Sequence, residues 1–263
     1  MREWIYGRNA VAETLLARRR HPFKLEVAEG VQIKGRLSEI MAEAEARKVL
    51  VEQVARGRLD QRVEGHQGVM LEVSGYPYTE MADMLDLAQS RGEPPFLLLL
   101  DTLKNPQNLG TLLRTAEIVG VHGVLLPLRQ TATITPAVVN ASSGASEHLL
   151  VGQANLAQRI ATLKDAGVWV IGLEGSRAAQ TPDRLRLDGP LALVVGSEGG
   201  GMRSLVRASC DGLLRLPMRG RVASLNAAVA GSTALYLAWQ ARGFAGAEQP
   251  TGGANHSAES IDE

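Results

Sequence analysis

The stretch from Leu191 to Ser232 constrains this chain more than any other. Leu191-Ala192-Leu193-Val194-Val195 is a short apolar run that stops at Gly196-Ser197-Glu198-Gly199-Gly200-Gly201-Met202. A run of this kind is a buried strand entering a loop with free backbone N–H groups. Glycines admit positive φ and let a ligand approach the backbone closely. A second apolar element, Gly212 to Met218, leads through a polar loop, Arg219 to Asn226, into the small-residue run Ala227 to Ser232. The pattern is strand, glycine loop, helix, strand, polar loop, helix. Two strand ends side by side form a ligand crevice at the carboxyl edge of a parallel sheet.

The glycine order limits what the crevice holds. A dinucleotide fingerprint requires G-x-G-x-x-G, whereas Gly196, Gly199, Gly200 and Gly201 give G-x-x-G-G-G. A phosphate loop requires Lys then Ser or Thr after its last glycine, and Met202 and Arg203 stand there instead. From the residues alone, a plain βα turn remains open.

From Phe96 onward, strands and helices alternate as in an α/β domain. Strands are predicted at Phe96 to Asp101, Gly123 to Leu126, Val168 to Leu173, Leu191 to Val195 and Gly212 to Leu216. Helices are predicted near Asn108 to Val119, Thr135 to Ser142, Leu156 to Ala166, Arg203 to Ala208 and Leu225 to Arg242. Residues 1–75 read as a separate small α/β unit. It has a helix through Leu15-Leu16, strands at Phe23 to Val27, Val49 to Val54 and Gly68 to Val73, and a helix over Leu37 to Lys48 with Leu37, Ile40, Met41 and Ala44 on one face. Residues 76–95, rich in Gly and Pro, read as a structured linker with one short helix, Met81 to Ala88. Residues 246–263 carry almost no aliphatic side chains and are expected to be disordered.

Charge and cysteine content exclude several classes. Lys plus Arg and Asp plus Glu both number 28, so the chain is no generic polyanion binder. The balance is uneven, since residues 96–245 carry fourteen basic against nine acidic side chains, and the last eighteen residues carry four acids and no Lys or Arg. Clusters at Arg18 to Arg20 and at Arg56, Arg58 and Arg62 are either phosphate contacts or solvated helix ends. Cys210 is single, which rules out an internal disulfide and a cysteine metal cluster. No run is long enough to span a membrane and Met1 to Trp4 opens no signal region, so a cytoplasmic, metal-free protein is expected.

Three ordered motifs carry a resemblance. Val195 to Met202, Leu216-Pro217-Met218 through Ser224-Leu225-Asn226, and Asp101 to Ala116 further upstream resemble the motifs of the SpoU-type RNA 2'-O-ribose methyltransferases of the SPOUT superfamily. Tyr6-Gly7-Arg8-Asn9-Ala10-Val11 and His66-Gln67-Gly68-Val69 resemble the substrate-binding domain of the bacterial 23S rRNA guanosine 2'-O-methyltransferases. His66 itself reads as a turn-forming polar residue. Asn105 stands where many relatives have Asp, and Ala228 where Ser is common.

The resemblance implies a parallel α/β sheet with a C-terminal trefoil knot, the helix at Leu225 to Arg242 being the threaded element. It implies S-adenosylmethionine held by Gly196, Leu216 and Leu225. Asn108, Arg114, Glu198, Ser224 and Asn226 match the functional positions, with Arg114 central and Glu198 orienting Arg114 or the substrate. Arginine holds its proton well above neutral pH, which favours a charged Arg114 over a base. The implied reaction is methyl transfer to the ribose 2'-hydroxyl of a 23S rRNA guanosine. A tRNA guanosine or rRNA adenosine enzyme, a non-catalytic assembly factor and a dinucleotide oxidoreductase are the alternatives. A homodimer is expected through Ala230, Ala234, Leu235, Leu237, Ala238 and Trp239, with Leu112, Leu113, Ile118 and Val119. The N-terminal domains are expected outside it on flexible linkers.

Overall fold

A computed structural model describes residues 2–222 and 224–247. The first unit is built from β1 (Arg2–Tyr6), α1 (Arg8–Ala17), β2 (Pro22–Ala28), α2 (Arg36–Ala46), β3 (Leu50–Val54), α3 (Arg56–Asp60) and β4 (Val69–Ser74). Its sheet runs β1-β4-β2-β3, with β2 and β3 parallel and β4 antiparallel to β1 and β2. Ile5, Leu25, Leu71 and Val73 point to one face and pack with Leu15, Leu37 and Ile40, all fully buried. The sequence pattern gives no sign of β1 or α3. Helix α3 covers part of the second face, its Leu59 packing on Met70 of β4, while Glu72 and Ser74 on that face stay partly exposed.

The second unit follows as α4 (Met81–Arg91), β5 (Phe96–Leu100), α5 (Pro106–Ile118), β6 (Gly123–Pro127), α6 (Pro136–Ala141), β7 (Val151–Ala154), α7 (Leu156–Asp165), β8 (Trp169–Leu173), β9 (Leu191–Val195), α8 (Ser204–Ser209), β10 (Gly212–Leu214) and α9 (Ala227–Ala241). All six strands are parallel, in the order β10-β8-β9-β5-β6-β7. Strands β5, β6 and β9 are buried at every residue, as a parallel sheet covered on both faces requires. The expected parallel α/β fold is therefore present. The chain leaves β5 toward β6 and β7, then returns on the other side through β9. The strand order reverses between β5 and β9, the place where a crevice opens beyond the strand ends.

Helix α4 is part of this unit rather than a spacer. A capping box of Glu80 and Asp83 starts it, and Met84, fully buried, fills the space against Gly123 and Gly152. The expected disorder beyond 246 lies, from 248 on, outside the described residues.

The two units are docked, not hung on a flexible connection. Arg20, expected in a basic cluster, is fully buried and grips Glu147 through two bonds of 2.9 Å, with Glu3 at 2.6 Å on its third nitrogen. The buried Tyr76 hydroxyl donates toward the carbonyls of Ser146 and Leu149, at 2.9 and 2.8 Å. Asn140 donates to the Tyr6 carbonyl at 3.1 Å. A Cβ on Gly7 would lie 2.7 Å from that Asn140 amide, so this motif glycine is a contact point between the units. In the other basic cluster, Arg58 and Arg62 stay exposed but pair with the buried Glu26 carboxylate at 2.9 and 2.8 Å. His66 is structural, bonded to Asp60 and accepting from the Gly68 N–H.

The apolar face expected at a dimer is largely used within the chain. Ala234, Leu235, Ala238, Leu112 and Leu113 are fully buried, because α9 lies tightly on α5. Gly231 permits this, since a Cβ there would sit 2.5 Å from Leu112. The apolar residues left on the outside are Ile118, Val229 and Tyr236, each about half exposed.

Candidate functional site

Asp101, the first residue past β5, is a fully buried carboxylate. It accepts the Arg203 backbone N–H at 2.7 Å and the Arg203 Nε at 2.8 Å. That bidentate grip anchors the far end of the glycine loop. The loop closes on itself, with Ser197 and Gly201 exchanging backbone bonds of 3.0 and 2.9 Å. Gly196 lies against this closure, where a Cβ would be 2.3 Å from the Gly201 carbonyl carbon. Gly199 turns the tip with φ 74°. Glu198 is thereby carried out of the sheet edge on a braced loop. The sequence offered one sign of Asp101's role, a lone acid ending an apolar strand.

Two helix starts converge on Glu198. Asn105 caps α5 by accepting from the Gln107 N–H at 2.8 Å, with Pro106 in the first helical position. Asn and Asp are equivalent caps, so the departure at 105 leaves this end intact. Asn226 caps α9, its Oδ1 accepting from the Ala228 and Val229 N–H groups at 2.9 and 3.2 Å. Its Nδ2 donates to Glu198 Oε1 and, at 3.3 Å, to Asn108 Oδ1. Asn108 Nδ2 donates to the same Glu198 oxygen at 2.5 Å. Three residues from three distant segments thus form one network. The carboxylate also sits at the positive ends of both helices, where an anion is favoured.

Arg114 is apart from this network. It lies six residues beyond Asn108 on α5, about 9 Å along the axis at 1.5 Å per residue. It is exposed, and its Nη1 donates to Ser143 Oγ at 3.1 Å. Within one chain Glu198 does not orient Arg114: its Oε1 takes the two amides, and Arg114 bonds Ser143 instead.

Two cavities flank Glu198. The larger, about 680 Å³, lies beyond β8 and β9 and is lined by Gly196, Leu216, Ser224, Leu225 and Asn226. Leu225 is 45% exposed and Leu216 half-buried, so neither is an ordinary core leucine. The smaller, about 470 Å³, lies beyond β5 and is lined by Thr102, Lys104, Asn108, Gln130 and Arg203. Ser197, Glu198 and Gly201 line both. Among the described residues no cluster of His, Cys, Asp and Glu suits a metal ion, and no helix is long and apolar enough to cross a membrane. Cys210 is partly buried, and burial pushes its thiol up to about 11.

The sequence matches families of RNA methyltransferases. Residues 95–236 match the SpoU rRNA methylase family, and residues 4–79 match the RNA 2'-O ribose methyltransferase substrate-binding domain. The putative TrmH family tRNA/rRNA methyltransferase YacO of Bacillus subtilis is 42% identical over 244 residues, covering 91% of this chain and 96% of its own length. Two solved structures share the fold. The SpoU methyltransferase AviRb from Streptomyces viridochromogenes, in complex with AdoMet, has a TM-score of 0.73 at 21% identity, with 91% of this chain and 89% of that one covered. The AdoMet-bound rRNA methyltransferase from Sinorhizobium meliloti has a TM-score of 0.74 at 23% identity, with 91% and 87% covered. The family match and the Bacillus subtilis relative make the chain an RNA methyltransferase. The chain belongs to the SpoU rRNA methylase family.

Proposed function

We propose that this protein uses S-adenosylmethionine to methylate the ribose 2'-hydroxyl of a guanosine in 23S rRNA. The observation that carries the reading is Glu198, held by Asn108 and Asn226 at the wall shared by two cavities, one lined by all three residues expected to hold the cofactor. A volume of about 680 Å³ lies within the range of small-molecule sites. The cavity suits the group chemically: Gly196 keeps the loop backbone flush, and Leu216 and Leu225 offer apolar surface to a planar base. When bound there, S-adenosylmethionine supplies an electrophilic methyl on a sulfonium.

The residues of the chain supply alignment and charge. Holding reactants in line contributes roughly 7–11 kcal/mol to a displacement of this kind. Glu198, fixed by its two amide donors, positions the acceptor sugar. Ser224 lines the same cavity and offers a hydroxyl. Arg114, a guanidinium that carries its charge at neutral pH, stabilises the oxyanion that forms as the hydroxyl loses its proton.

Arg114 lines neither cavity of its own chain, so this reading has it serve the site of a second copy. The homodimer would use the exposed α9 face with Val229 and Tyr236, together with Ile118. Twofold pairing is the commonest oligomer geometry. The trefoil threading of residues 225–242 belongs to the same reading. The substrate-binding domain favours rRNA over tRNA, because the tRNA guanosine enzymes lack it.

Calorimetric titration tests the cofactor assignment. One S-adenosylmethionine should bind per chain, and Leu225→Asp, at an exposed position, should weaken it at least about tenfold, the equivalent of about 1.4 kcal/mol. Binding of NAD in place of S-adenosylmethionine overturns the reading.

A further inference from the structure

We infer that the 470 Å³ cavity beyond β5 receives a single unstacked nucleoside of the RNA, and that Gln130 determines which base is accepted. The inference rests on the methyl-transfer reading above and assigns its acceptor side.

The two cavities meet at Ser197, Glu198 and Gly201. A methyl acceptor must touch the donor without entering the donor's cavity, and this shared wall is where the cavities lie closest. Both amide donors reach Glu198 Oε1. Among the described residues nothing bonds Oε2, and an ionised carboxylate only accepts. A sugar hydroxyl is a donor that this oxygen lacks.

The opposite wall is held in a costly conformation. Thr102 and Gln130 have φ of 59° and 61°, in the left-handed region that favours glycine. Each such residue costs on the order of 1–3 kcal/mol, and strain of this kind gathers at functional sites. The surrounding chain fixes it: the Ala132 N–H and the Thr131 hydroxyl both donate to the Leu103 carbonyl, at 2.7 and 2.9 Å. The loop after β6 is thus tied to the loop after β5, with both strained residues on the cavity. No packing demand explains the strain at Gln130, which is exposed.

The chemistry of the walls fits a nucleoside flanked by phosphates. Gln130 presents an amide donor and acceptor side by side, the pattern that reads a base edge. Lys104, exposed, and Arg203, 46% exposed and charge-balanced by Asp101, stand where a backbone would enter. A space of about 470 Å³ takes one nucleoside and no duplex, so the target must leave its stack.

The full-length protein tests this with Gln130→Gly, which removes the amide while easing the backbone. S-adenosylmethionine affinity should stay within about twofold and thermal stability should hold or rise. The kcat/KM for 23S rRNA should fall roughly tenfold or more, the loss expected for hydrogen bonds left unmade. Gln130→Asn, which tolerates the same φ, should recover part of it. Lys104→Ala should lower the salt slope of RNA binding by about one. If the wild type methylates RNA and Gln130→Gly does so with kcat/KM within twofold, the cavity is not the acceptor pocket, although the enzyme reading stands. If the wild type neither binds S-adenosylmethionine nor methylates RNA, both readings fall together.

Discussion

Replacing Glu147 with alanine should part the two units of the chain before it disturbs the chemistry. Both Glu147 and Arg20 have no exposed side-chain surface and share two bonds of 2.9 Å. Removing one member of a buried pair costs about 3–5 kcal/mol, because the other charge is left stranded. Arg20 would keep Glu3 at 2.6 Å, and Glu3 is 18% exposed, which places the loss near the lower end, about 3 kcal/mol. At about 2–4 °C per kcal/mol for chains approaching this size, the midpoint should drop by about 6–12 °C. Burial pushes the Glu147 carboxyl above its usual range despite the opposing pull of Arg20 and Arg19. The pair therefore adds little over an apolar replacement, and Arg20→Met with Glu147→Leu should recover most of the loss. Calorimetry gives the midpoint, and hydrogen exchange across Tyr76 to Thr79 reports undocking. A single variant within about 0.5 kcal/mol of wild type, the range of ordinary surface changes, would refute the reasoning. So would a double variant no better than the single one.

Other consequences are as direct. Arg114→Ala should abolish methyl transfer with S-adenosylmethionine affinity kept within a few-fold, and Arg114→Lys should recover little, since lysine lacks the planar fork. Asn226→Ala should cost about 1 kcal/mol for the lost cap and also lose activity. Asn226→Asp should restore the cap but not the activity, because it sets a carboxylate against Glu198; wild-type activity in either variant would separate Asn226 from the site. His122 is buried, its Nδ1 accepting from the Phe96 N–H at 3.1 Å, and burial holds its pKa below 6.5 ahead of the opposing effect of Glu93. Its contribution is present above about pH 6.5 and lost as pH falls through the depressed value. Denaturant titrations should show the gap between wild type and His122→Gln narrowing in acid, and a widening gap would contradict this.

The strands of the second unit were legible because five apolar residues in a row, as at Phe96 to Leu100, have few other fates. Strand β7 was not, because Val-Gly-Gln-Ala carries no period and pairs only at the sheet edge. Gly196, Leu216 and Leu225 all line the larger cavity, since the spacing of strand end, loop and helix start is local. Arg114 is the exception: six residues beyond Asn108, it lies roughly 120° around α5 from that residue and faces away. The Arg18 to Arg20 cluster looked like solvent or phosphate contacts. Its partner Glu147 lies 127 residues away, and only the docking of the units buries Arg20. For the same reason a truncation at Pro94 would remove Met84 from Gly123, so a cut meant to isolate the second unit belongs ahead of Thr79, whose N–H bonds the Val151 carbonyl at 2.9 Å.

The central claim is that the methyl goes to a ribose oxygen of a guanosine. Purified protein, methyl-labelled S-adenosylmethionine and unmodified 23S rRNA, followed by digestion to nucleosides, reads this in one step. The label should appear in 2'-O-methylguanosine and disappear with Arg114→Ala. Label on a base, or none on RNA from an S-adenosylmethionine-bound protein, would contradict the account.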